Sequence, residues 1–174
     1  IDSIHMWASR VKSFPPRKIT EFLELNHVVS LALVCPNGVL WAANCFYVYD
    51  HDKVALIILS DDKSRHAKAM HFHSYIAGTI SGQTKDIRKI QGIQFMATAK
   101  HLESKFDDGA RRLYYKKFPL ARVIPSEVWI LHFEELKFTD NTLFFAEKTL
   151  WSSGNAVSLE KDINYENTEN YYRH

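Results

Sequence analysis

Cysteine is scarce in this chain: Cys35 and Cys45 are the only two in 174 residues. They lack metal-type spacing, and so few thiols in a chain of this size fit a reducing compartment. Long apolar runs are missing too. No uninterrupted stretch approaches the roughly 20 residues that span a bilayer, and no signal-peptide pattern opens the chain. Neither membrane insertion nor export is expected, which leaves the cytoplasm as the expected location. Charge of one sign is also lacking, since 22 basic and 20 acidic side chains leave a formal +2. That balance gives no broad basic field and argues against a nucleic-acid partner. Internal repeats and low-complexity segments do not occur. What is present is a 46% hydrophobic and 13% aromatic composition, enough to bury one core and build one domain.

The chain is organised around residues 54–70. Val54 to Leu59 form a continuous apolar run, too short for a helix and rich in Ile and Val, which predicts a buried strand ending at Ser60. Ser60, Asp61 and Asp62 are good N-cap types, and residues 63–71 contain no Gly, Pro or β-branched residue, so a helix is expected there. Its first turn carries Lys63, Arg65 and His66, where the helix dipole is already positive. A phosphate would resolve that conflict, because helix N-termini bind anions and Arg adds a two-pronged donor. The plainer alternative is a solvated charge cluster neutralised by Asp61 and Asp62.

Taken in order, Pro15-Pro16 opens a short helix at 17–26 with Ile19, Phe22, Leu23 and Leu25 on its apolar face. Strands are expected at 28–34 and 39–49, joined by turn chemistry at Pro36-Asn37-Gly38. Both parities of 39–49 read as covered. After the charged helix come a strand at 75–81, with a small Ala77-Gly78 patch for close approach of a backbone or flat ligand, and a polar turn at 82–86. Residues 87–102 read as one long strand bent or bulged at Gly92. A helix at 107–118 stops at Pro119, and strands at 128–133 and 136–139 flank Glu134-Glu135. Short connections between these strands favour antiparallel pairing. A mainly β fold follows, a small barrel of antiparallel strands with peripheral helices, spanning residues 7–160. Residues 1–6 read as a cloning-junction remnant or an N-terminal extension, and 161–174 as a polar tail.

Several stretches carry a family resemblance: Asn44-Cys45-Phe46-Tyr47-Val48-Tyr49-Asp50, Ser60-Asp61-Asp62-Lys63-Ser64-Arg65-His66-Ala67, Gln91-Gly92-Ile93-Gln94-Phe95, Phe118-Pro119-Leu120-Ala121-Arg122 and Lys137-Phe138-Thr139-Asp140-Asn141-Thr142-Leu143. Over residues 19–151 the chain resembles the pyridoxamine phosphate oxidase-like split-barrel superfamily, and within it the YhbP family. The resemblance implies a split β-barrel, FMN as cofactor, and a homodimer with flavin at the subunit interface. It puts Ser64 and Arg65 on the superfamily's phosphate-binding Ser-Arg-Lys core, with His66 where lysine is usual and Lys63 as a replacement charge. Ser60 resembles the hydroxyl residue that ends the strand, and Gln91 or Gln94 the polar group on the barrel wall near the cofactor. The C-terminal Trp-x-Arg pattern of true pyridoxamine phosphate oxidases is not evident, since Ile130 and Leu131 follow Trp129, so vitamin B6 oxidation is not implied.

Other constellations carry less. His71-x-His73 supplies too few ligands for a metal, and no metal site is expected. Cys35 and Cys45 read as structural thiols, and Glu134-Glu135 and Asp107-Asp108 are adjacent pairs whose side chains diverge. No catalytic acid or base is marked. Of the aromatics, Trp41 and Tyr47 lie nearest the organising segment. The expected function is an FMN-binding flavoprotein carrying out a redox step on an unidentified small molecule. The alternative, which His66 favours, is a non-enzymatic dimeric binding or sensing module that has lost flavin or holds another anionic ligand.

Overall fold

The computed structural model describes residues 13–103, 108–142 and 147–154. The expectations for residues 1–6, Trp7, Asp107, Leu143 and the tail at 161–174 lie outside the described residues.

Helix α1 (Arg17–Leu25) follows the two prolines and buries Ile19, Phe22 and Leu23. Leu25, expected on the same face, is exposed. Strands β1 (Val28–Val34) and β2 (Leu40–Asp50) form a hairpin. At its turn Gly38 has φ +77°, which a residue without Cβ adopts at no steric cost. Then come β3 (Ala55–Ser60), α2 (Arg65–Phe72), β4 (Tyr75–Ser81), β5 (Gln91–Leu102), α3 (Asp108–Lys117), β6 (Glu127–Asp140) and β7 (Glu147–Ser152). Neighbours in the order β3-β2-β1-β4-β5-β6 are all antiparallel, and β3 also pairs with β6. The first six strands thus close into a barrel, which removes the sheet edges that would otherwise template aggregation.

The closure is split along β6. One edge of this strand pairs with β5 throughout, while the other serves β3 through Glu127–His132 and β7 through Glu135–Asp140. The exchange of partners falls on Glu134. There the β5–β6 register shifts between Met96 and Ala97, leaving Glu134 as the extra residue of a bulge. The bulge is held by its own side chain, whose carboxylate accepts Thr98 Oγ1 at 3.1 Å and Ser153 Oγ at 2.8 Å. Glu134-Glu135 therefore bends one continuous strand and does not separate two. Gly92, expected to mark the bend, sits in regular register with Ser81 and Thr139. Residues 87–89 are a single 3-10 turn, capped by Asp86 at the Arg88 N–H, and β5 begins only at Gln91. The local Asx cap outcompetes strand pairing there.

Inward-facing residues of all strands, with α1 and α2, form the main core. Gly78 belongs to this inner face: an added Cβ would meet the Phe95 ring and lie 2.7 Å from the Ser30 carbonyl oxygen. Gly78 is therefore room for Phe95 and the β1 backbone, whereas Ala77 faces outward and is exposed. A second cluster lies outside the barrel, where Ala110 and Tyr114 of α3 cover Val48, Ala55, Ile57, Val128 and Ile130. Coverage of both faces of β2 is confined to its last four residues, and none of its first five is buried. Along β5 the outer parity is Gln94, Met96, Thr98 and Lys100, none buried. Among the described residues no helix is long and apolar enough to cross a membrane.

Candidate functional site

Ser60 ends β3 opposite Glu127, on the inward parity of Leu56 and Ile58, and is buried. Its hydroxyl is the hub of the strand-to-helix segment, 2.7 Å from His66 Nε2, 3.0 Å from Ser64 Oγ and 3.1 Å from the Asp61 carbonyl oxygen. Ser64 is the N-cap of α2, accepting the Ala67 N–H at 3.2 Å. The two acidic residues are already engaged. Asp61 accepts the backbone N–H of Lys63 at 2.9 Å, and Asp62 meets His71 Nε2 at 2.7 Å. Lys63 and Arg65 consequently form no ion pair among the described residues. The backbone amides of Arg65 and His66, at the helix start, have no acceptor among them either. Two cations and two amides thus meet at the positive end of a helix, where negative charge is favoured.

Arg65 is held in place by an aromatic. Its guanidinium lies 4.0 Å over the Trp41 ring, a stacking that keeps the fork flat while its N–H edge remains available. His66 behaves differently from a substitute lysine. Burial holds its pKa below the ordinary histidine value, so near neutral pH it is an uncharged partner of Ser60.

Of the expected site residues, the structure brings Ser60, Ser64 and His66 into one hydrogen-bonded cluster with Lys63 and Arg65 beside it. It does not bring Gln91 and Gln94 there. The Gln91 amide donates to Asp140 Oδ2 at 3.1 Å. Gln94 faces outward on β5, between its partners Thr79 and Lys137. It lines a separate open cleft of about 530 Å³ with Lys137, Leu150 and Trp151 among its walls. Tyr47 is a core residue whose hydroxyl donates to the Leu23 carbonyl at 2.8 Å. Burial pushes the Cys45 thiol up to about 11, which leaves it protonated and consistent with a structural role.

The imidazoles of His71 and His73 diverge: His73 Nδ1 lies 2.9 Å from the Tyr75 carbonyl oxygen, while His71 turns towards His101, ring centroids 5.1 Å apart. His101 and the Trp41 platform were not among the expected site residues. Nothing in spacing links positions 71 and 101, whereas an aromatic on a strand neighbouring the charged segment was a visible signal for Trp41.

No family model matches the chain. A UPF0306 protein YhbP from Salmonella arizonae is 44% identical over 133 residues, covering 76% of this chain and 90% of that protein. The chain belongs to the UPF0306 YhbP family. Among solved structures, this YhbP-family chain resembles a pyridoxamine 5'-phosphate oxidase-related, FMN-binding protein from Nostoc punctiforme, with TM-score 0.63, 11% identity and coverage of 82% of this chain and 92% of that one. It also resembles a heme-binding protein from Mycobacterium smegmatis, with TM-score 0.65, 14% identity and 82% and 60% coverage. HutZ, the heme storage protein from Vibrio cholerae, matches with TM-score 0.54, 15% identity and 78% and 92% coverage. At such identities these likenesses show the fold alone, the split barrel of pyridoxamine phosphate oxidase-like proteins.

Proposed function

We propose that this YhbP-family chain binds FMN, with the flavin's phosphate seated on Lys63, Arg65 and the start of α2, and takes part in a redox step on a small molecule. The observation that carries the reading is Arg65, a guanidinium stacked on Trp41 and, among the described residues, without a carboxylate partner, beside first-turn amides that lack acceptors there too. The fit is good at the phosphate end, where two unpaired cations face a group of roughly two negative charges. Bound there, the flavin would supply the electron chemistry while the chain fixes its phosphate and shapes access to its ring.

The cleft that Gln94 lines shares no residue with the Ser60–Arg65 cluster, and the reading includes a homodimer in which the partner completes the ring pocket. The exposed outer face of β1, β2 and β4 supports the same reading. It presents small residues in register, Ala32 beside Ala42 and Ala77, and Ser30 beside Asn44 and Thr79. Such a flat surface suits close packing against a second copy.

His66 favours a second reading. An uncharged imidazole tied to Ser60 gives the phosphate one cation fewer than lysine would, as in a binding or sensing module without turnover. Titrating cofactor-free protein with FMN, riboflavin and hemin separates the cases. Preference for FMN over riboflavin supports the phosphate seat, and reduction of the bound flavin by substrate or a nicotinamide donor supports the enzyme. Binding of hemin with no response to FMN would overturn the first reading and leave the second, with an anionic ligand other than flavin.

A further inference from the structure

We propose that Asp62, His71 and His101 form a binding site for a divalent cation of the zinc class. The three residues come from separate elements: the β3–α2 connection, the last turn of α2 and the far end of β5. One ligand atom from each lies within 4.8 Å of the other two. The Asp62–His71 contact of 2.7 Å is satisfied by an ordinary hydrogen bond, but that pair does not account for His101. His101 Nε2 is buried and makes no hydrogen bond, although Glu127 Oε2 stands 3.5 Å away. A desolvated imidazole nitrogen beside a second imidazole and two carboxylates is an environment that a cation completes.

Chemistry and shape select the ion. Two imidazoles with one carboxylate form a borderline nitrogen–oxygen set that suits Zn²⁺ and its neighbours and disfavours Mg²⁺ and Ca²⁺. Three protein ligands leave a fourth position open. Metal–ligand bonds of about 2.0–2.2 Å in a tetrahedron require ligand separations of about 3.3–3.6 Å. An ion would thus part Asp62 from His71 slightly and draw His101 inward. The Asp62 and His71 side chains are 57% and 44% exposed and free to adjust. Trp129 provides a fixed wall behind both rings, 4.7 Å from His71 and 5.2 Å from His101 between centroids. The ion would pin the β3–α2 connection, which carries Lys63, to the barrel.

Cobalt(II) is the probe, added to chelator-stripped, flavin-free full-length protein and followed by visible absorption and tryptophan emission. The expected result is one saturable Co²⁺ per chain, displaced by Zn²⁺, with quenched emission because Trp129 adjoins both imidazoles. D62N, H71A and H101A should each weaken binding at least tenfold. H73A, whose ring turns away to the Tyr75 carbonyl, should leave it unchanged. D62N alters only an exposed side chain, so its result does not depend on how H101A folds. Absence of saturable Co²⁺ binding below millimolar concentration, or binding unchanged in D62N and in an H71A/H101A double variant, would overturn the proposal.

Discussion

Arg65 is the cation on which the proposed phosphate seat rests. With its guanidinium stacked on Trp41, Arg65→Ala should weaken FMN binding by roughly 1.5–3 kcal/mol, the range for hydrogen bonds to charged groups. Arg65→Lys should recover only part of this, because an ammonium keeps the charge without the fork. Trp41→Ala should cost less than Arg65→Ala, by removing the platform but not the cation; an equal or greater loss would assign the binding to the ring itself. His66 contributes through Ser60 rather than by charge. His66→Gln should therefore follow the wild-type dependence of FMN affinity on pH above 6.5, measured by fluorescence titration. Gly78 bears on stability instead, since its missing Cβ makes room for Phe95. Gly78→Ala should destabilise the fold by about 1–3 kcal/mol through overpacking, read from urea unfolding.

Elements reading most clearly in the sequence were those whose local and tertiary preferences agree. The apolar run of β3 and a helix behind it occur as expected, but the helix begins at Arg65, two residues later than expected, because Ser64 and not Ser60, Asp61 or Asp62 caps it. The β6 bulge was illegible, since its cause is distant: Thr98 and Ser153 hold Glu134, and the strand changes partner from β3 to β7 at that point. Equally hidden was the inner side of the strand-to-helix turn, where His66 meets Ser60 instead of serving as a cation.

β6 also carries a pH-sensitive group. His132 is buried, and burial, reinforced by Lys100 and Lys53, pushes its pKa down to about 4. Above pH 6.5 the imidazole is neutral whether the chain is folded or not, and stability does not depend on it. As pH falls from about 6.5 towards 4 the unfolded chain takes up a proton that the folded chain resists, so stability should drop by up to about 3 kcal/mol. His66, shifted in the same direction, adds to the same slope. Urea midpoints between pH 7.5 and 4.5 check this, and His132→Gln should flatten the curve. An unchanged slope in that variant would assign the acid sensitivity elsewhere.

At the scale of the whole molecule, the barrel has one closed interior, an outer face covered by α3, and an outer face of β1, β2 and β4 that no described residue covers. That uncovered face combines in-register small residues with Leu40, Phe46 and Tyr75, which are 77%, 53% and 60% exposed, an apolar surface of the sort that marks an interface. Sedimentation at micromolar concentration should give a dimer, and Ala42→Arg on this face should give a folded monomer. A wild-type monomer with and without FMN would remove the shared-pocket account.

The proposed phosphate seat at the start of α2 is tested most directly by the ratio of FMN to riboflavin affinity in wild type and in Arg65→Ala, titrated side by side on protein with native circular dichroism. Wild type should favour FMN by at least about tenfold, the equivalent of one charge-assisted contact. Arg65→Ala should lose most of that preference while binding riboflavin as before. Equal affinities for the two ligands in wild type, or an FMN preference that survives Arg65→Ala intact, would contradict it.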